Sequence, residues 1–142
     1  MTTLTRQQAN TLLAHGVALD VRDAGAVRTL LEQQFEAALR HRSADLSLLA
    51  GQLEPLLNEM ETRRQQRLSL VRALLGAHAT MLDYLGTLAP APRAALESAW
   101  EQLEAIVREC KAATTRNANL LAEQYSVMQR VLHGEDQLYA PR

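Results

Sequence analysis

Residues 94–133 read AALESAWEQLEAIVRECKAATTRNANLLAEQYSVMQRVLH, and the spacing within this stretch decides the fold. Leu96, Trp100, Leu103, Val107, Cys110, Thr114, Asn117, Leu121, Gln124, Met128 and Val131 alternate steps of four and three. That is a 3.5-residue repeat, slightly tighter than a free α-helix. Held this long, it keeps one stripe against a partner helix only if the two wind left-handed, the geometry of a coiled coil. At ~1.5 Å per residue the helix is about 55 Å long, so the molecule is expected to be a rod.

Composition agrees. The 142 residues include 26 Leu and 23 Ala against one Ile, one Phe and seven Val, and unbranched side chains lose little rotamer freedom in a helix. A large β-sheet is excluded, and the length suits a single domain. No stretch approaches the ~20 apolar residues of a membrane span, so stable membrane insertion is not expected. Formal net charge is −1, which provides no global field for nucleic acid. A single cysteine, Cys110, excludes an internal disulfide and fits a reducing cytoplasm. The opening Met1, Thr2, Thr3, Leu4, Thr5 lacks the basic start and apolar run of a secretory signal.

Upstream of the long helix, Thr5 and Gln8 have capping-box spacing, which predicts a short helix within residues 1–22. Gly16, Asp20 and Asp23 read as a turn and a fresh start, followed by an amphipathic helix through Val27, Leu30, Leu31, Phe35, Ala38 and Leu39. Ser43, with Asp45 behind it, reads as the N-cap of the next helix. Its stripe runs through Leu46, Leu49, Leu53, Leu56, Leu57 and Met60 to Leu70, Leu74 and Leu75. Pro55 inside that stripe predicts either a kink near Gly51 or two helices. Residues 24–75 thus supply the bundle helices, and residues 76–93 form a structured connection. Thr80 and Asp83 start a short helix inside it. Gly134 is expected to end the long helix, leaving residues 134–142 as a tail. The predicted architecture is all-α: an elongated antiparallel helical hairpin or coiled-coil bundle with one long C-terminal helix.

Catalytic chemistry finds little support. There is no glycine-rich phosphate loop, and His15, His41, His78 and His133 never fall at the spacing that lets two imidazoles share a metal. Paired carboxylates such as Glu101 and Glu104 lack the Glu-x-x-His partners of a bundle metal site. No catalytic residue, metal or cofactor is expected. Arg63, Arg64 and Arg67 break an apolar face and have two readings. Their stems cover apolar surface while their heads pair with Glu59 or Glu61, or they form a docking patch for an acidic partner. Thr114, Asn117 and Gln124 put polar layers into the long helix's stripe. These either control register in a permanent coiled coil or mark a groove left open for another protein's helix.

Together these features resemble the FlgN family of flagellar export chaperones. That family's C-terminal segment looks like Asn-x-x-Asn-Gly-x-Leu-(Ile/Leu), followed by leucines, a Gly or Pro break and a Leu-Tyr-Gly tail. The matching run here is Thr114, Thr115, Arg116, Asn117, Ala118, Asn119, Leu120, Leu121, then Val131, Leu132, Gly134 and finally Leu138, Tyr139, Ala140. Trp100 with Leu103 matches the family's Trp-x-x-Leu, and the upstream leucines follow its loose helical pattern over roughly Ala24 to Tyr139. The resemblance implies a cytoplasmic, non-enzymatic chaperone of type III export. It would bind the hook–filament junction proteins FlgK and FlgL and deliver them to the cytoplasmic domain of the export gate. By the same carry-over, Asn117, Leu120 and Leu121 form the client seam and Leu138 with Tyr139 docks to the gate, while Thr114, Gln124 and Met128 of the same helix stripe complete the expected client surface. The alternative is a self-associating coiled-coil scaffold without a client, and a homodimer is compatible with either.

Overall fold

The computed structural model describes residues 5–139. Four helices follow in order: α1 (Arg6–Leu39), α2 (Ser43–Leu75), α3 (Met81–Leu85) and α4 (Pro90–Tyr139), with no strand among the described residues. The Thr5 capping box opens α1 as expected, since the Thr5 hydroxyl accepts from the Gln8 N–H while the Gln8 side chain accepts from the Thr5 N–H.

α1 does not break at Gly16. It runs unbroken for 34 residues, and the expected separation into two helices is replaced by a single one. Asp20 and Asp23, read as turn residues, are buried instead. The stripe Leu13, Val17, Ala24, Val27, Leu31 passes straight through them on helical spacing, which makes their burial a consequence of helix continuity. What permits it is a pair of arginines on α2. Asp20 accepts from Arg63 Nε at 2.5 Å and from Arg67 Nη1 at 2.7 Å. Asp23 accepts from Arg63 Nη2 and, at 3.1 Å, from Arg22 Nε. Asp20 and Asp23 lie three apart on one helix and Arg63 and Arg67 four apart on the other, so the two pairs meet as α1 and α2 run antiparallel. Arg67 also lies over the Trp100 ring of α4, 5.2 Å from its centroid. Neither sequence reading of the arginine group includes the internal ties of Arg63 and Arg67, which stitch the bundle. The expected surface pairing persists beside this network, with Arg63 4.0 Å from Glu59 and Arg64 donating to Glu61 at 2.7 and 2.8 Å.

The α1–α2 corner takes three residues. The Arg42 N–H donates to Ala37 O and the His41 N–H to Ala38 O, closing α1 with His41 at φ 53° in the left-handed region. Arg42 then opens α2 through its own carbonyl, which accepts from the Leu46 N–H, so Arg42 and not Ser43 is the N-cap. α2 continues through Pro55 as one helix. Gly51 and Pro55 both face solvent, so water satisfies the Gly51 carbonyl that the proline ring leaves unpaired.

α3 starts on the Thr80–Asp83 capping box and closes one end of the bundle with Tyr84 and Leu85, both buried. The Tyr84 hydroxyl donates to Asn10 Oδ1. α4 begins at Pro90, where a missing N–H is harmless, and passes through Gly134 to Tyr139. The expected end at Gly134 is therefore exceeded, since an interior glycine costs only about 1 kcal/mol. α1 is the central element, with α2 against one side and α4 against the other, while α2 and α4 do not approach backbone to backbone. No helix among the described residues is long and apolar enough to cross a membrane.

Although burial alone pushes the Asp23 carboxyl up, hydrogen bonds from Arg63 and Arg22 outweigh it and hold Asp23 below its ordinary value. A carboxylate depressed in the folded state contributes stability above its unfolded pKa and loses it as pH falls through the folded one. The urea midpoint is therefore expected to drop on acidification below about pH 4, and less so in Asp23→Asn. Arg63→Ala, which leaves Asp20 buried with only Arg67, is expected to cost about 3 kcal/mol at neutral pH by the same measurement.

Candidate functional site

The long helix is tied to α1 by a repeated contact. The Cys110 thiol faces Ala24 O at 3.6 Å, Asn117 Nδ2 donates to Leu31 O at 2.9 Å, and Gln124 Nε2 donates to Ala38 O at 2.9 Å. Donors and acceptors both step by seven, so α1 and α4 run parallel and in one register over these layers. A carbonyl oxygen has two lone pairs, so each can accept the side chain beside a backbone donor, which for Ala38 O is the His41 N–H of the corner. Asn117 is 2% exposed and fully engaged. Its amide also donates to Gln34 Oε1 at 2.8 Å, and its Oδ1 accepts from Arg116 at 3.1 and 3.2 Å. The Arg116 guanidinium in turn stacks 3.9 Å from the Phe35 ring centre and pairs with Glu32 at 3.2 Å. Lower down, Arg28 reaches Glu109 at 2.6 Å.

The heptad read from the sequence therefore splits into two rows. Leu96, Leu103, Cys110, Asn117 and Gln124 face α1, and the layers between them are filled by Ala99, Ile106, Ala113 and Leu120. Periodicity alone had chosen the adjacent positions, Trp100, Val107, Thr114, Leu121 and Met128. These sit one residue round the helix, on the flank of the seam. Trp100 and Val107 are half-buried, Thr114 is exposed with its hydroxyl donating to Cys110 O at 2.8 Å, and Leu121 and Met128 are 39% and 49% exposed.

Gln124 is the last tie. Among the described residues no hydrogen bond or ion pair joins α4 to another helix beyond it, because α1 has ended at Leu39. The remaining ~22 Å of α4 projects free. It carries Tyr125, Met128 and Leu132, which continue from Leu121 at steps of four, three and four and hence share one face, with Val127 and Val131 beside them, all exposed. Tyr125, Val127 and Leu132 were not among the sequence-derived site residues. Tyr125 and Leu132 could have been found by following the stripe past the polar layers at helical spacing. Leu138 and Tyr139 fall on the last helical residues, and their side chains lie outside the described ones.

A second apolar feature adjoins the first. Above α1, between α2 and α4, lies a groove of ≈ 710 Å³ walled by Leu53, Leu57 and Met60 on one side and Val107, Cys110 and Thr114 on the other. Burial raises the Cys110 thiol above its ordinary pKa, which slows its reactions without sealing off a side chain that is only partly buried. Among the described residues no cluster of His, Cys, Asp and Glu could hold a metal ion. What the arrangement offers is surface for a helix.

Of the expected client residues, then, Asn117 and Gln124 are engaged by α1, Leu120 is half-buried, and Thr114, Leu121 and Met128 are open. Asn117→Ala removes the contacts of a buried amide and is expected to lower stability by about 2 kcal/mol. Thr114→Ala at the exposed flank is expected to change it by less than about 0.5 kcal/mol. Urea titration of the two variants checks both.

No curated protein and no solved structure matches the chain. The family model described as FlgN protein matches residues 24–134, which takes in the C-terminal part of α1, all of α2 and α3, and all but the last five residues of α4. A parallel α1–α4 pair, an antiparallel α2 and a projecting, apolar-faced end of α4 are thus the form taken here by a chain that belongs to the FlgN family, a family of flagellar export chaperones and not of enzymes.

Proposed function

We propose that the chain is a cytoplasmic chaperone that binds the junction proteins FlgK and FlgL through the projecting end of α4. It would then deliver them to the cytoplasmic domain of the flagellar export gate. The observation that carries this reading is the bare face that starts at Leu121 and continues through Tyr125, Met128 and Leu132 beyond the point where α1 stops. An export client kept from assembling exposes an amphipathic helical segment, and such a segment buries its apolar stripe best against another stripe of similar period. Thr114 and Leu120 flank the contact. Asn117 and Gln124 act indirectly, by fixing how far α4 projects. Leu138 and Tyr139 are the gate-docking residues of this reading, set apart from the client face at the extreme end of the chain.

The test is co-purification and titration with C-terminal segments of FlgK and FlgL. Leu121→Asp combined with Met128→Asp is expected to weaken binding by on the order of 30-fold or more, about 2 kcal/mol, with an unchanged helical circular dichroism spectrum. Unaltered affinity would overturn the assignment. Tyr139→Ala is expected to leave client affinity intact while slowing secretion of FlgK and FlgL in a motile host, and parallel loss of both would argue against a separate docking end.

A further inference from the structure

We propose that the groove between α2 and α4 is the inner half of the client site. One heptad-repeat amphipathic helix of about 25 residues then lies along α4 from Val107 to Leu132, passing between α2 and α4 at its inner end. This inference rests on the reading above and adds α2 to the binding surface.

The geometry points to it through the flanking row of α4. Trp100, Val107, Thr114, Leu121 and Met128 repeat every seven residues. The row begins inside an interface that the chain already makes, with Trp100 under Arg67 and Val107 packed on the core. It then forms one wall of the groove at Val107 and Thr114, and emerges on the projecting end at Leu121 and Met128. The row is therefore continuous with an existing helix–helix contact and keeps its period, so an occupant matching the outer half matches the inner half as well. Arg67 over Trp100 closes the track at its upstream end.

The opposite wall makes the same demand. Leu53, Leu57 and Met60 step by four and three along α2, and Leu57 is 49% exposed despite its apolar side chain. α1 forms the floor, and α2 and α4 stand on either side of it without backbone contact, meeting only through side chains such as Arg67 on Trp100. The floor residues Ala24, Val27 and Leu31 and the wall residue Leu53 are buried, so what stays open is the shallow upper part of the furrow beside Leu57 and Thr114, a shape that suits the side of a helix packed as in a bundle. The track from Val107 to Leu132 is about 37 Å long, and that fixes the occupant's length at seven turns. Thr114 is the one polar member of the row between Val107 and Met128, and its hydroxyl is already satisfied within α4. The inner half therefore discriminates chiefly by shape and apolar area, with Lys111 as the one charged residue of its lining.

The experiment uses the full chain and C-terminal segments of FlgK and FlgL, titrated calorimetrically. Leu57→Glu, far from α4 in sequence, is expected to weaken binding about tenfold, and Thr114→Leu to tighten it several-fold by filling the row. Bound segment is expected to slow alkylation of Cys110 by N-ethylmaleimide, and a segment shortened to the outer half is expected to lose both the Leu57 sensitivity and the Cys110 protection. If the wild-type chain binds no segment, both this inference and the functional reading fall. If binding is lost in the Leu121→Asp, Met128→Asp variant yet ignores Leu57→Glu and Thr114→Leu and leaves Cys110 unprotected, the inner half alone is refuted. Self-association abolished by Leu57→Glu would make a second copy the occupant and would also refute it.

Discussion

The molecule depends on the donation of α4 side-chain groups into the carbonyls of α1 at intervals of seven residues. Cys110, Asn117 and Gln124 each meet a carbonyl at the same offset, 86 residues earlier in the chain. Two parallel apolar helices could slide by a turn at modest cost, because leucine packs on leucine in several registers. An amide that must find both a carbonyl and Gln34 cannot slide without being stranded in a dry seam. Each bond adds little to net stability, roughly 1 kcal/mol. Their joint effect is positional, since they fix where α1 stops relative to α4 and hence how much of α4 remains bare.

The other side of α1 is held by charge. Arg63 and Arg67 against Asp20 and Asp23 make a desolvated network whose net contribution over an apolar substitute is small, but whose removal one member at a time is costly. It does for α2 what the amide ladder does for α4. α1 is thereby committed on two faces, and the third face, floored by Val27 and Leu31, is the one left as a groove. A long helix with only one amphipathic stripe could not have served both neighbours. The α4 repeat is wide enough to split, and one row is spent on the chain's own fold while its neighbour stays available.

Much of this was legible in the residues. Helical class, the presence of one long C-terminal helix, the Thr80 cap, and the polar interruption of the seam all follow from spacing and side-chain chemistry. What was not legible has specific causes. Gly16 and Asp20 look like a break because glycine and aspartate disfavour helix interiors locally, and only the arginines some forty residues on reverse that preference. Gly134 misled in the same way. The phase of the heptad was ambiguous by one residue, since Trp100 and Ala99, or Val107 and Ile106, are equally apolar neighbours. The choice between them is made by α1, not by α4. The two readings of the polar layers turned out to apply to different layers: Asn117 and Gln124 set register, and Thr114 borders an open furrow.

The chain's single tryptophan occupies an instructive place. Trp100 lies beneath a guanidinium contributed by α2, at the point where α2 and α4 come nearest in function though not in backbone. An indole in that setting changes its emission when the cation above it departs. The protein therefore carries an intrinsic optical gauge, which reports whether the second helix is seated or lifted without any label being attached.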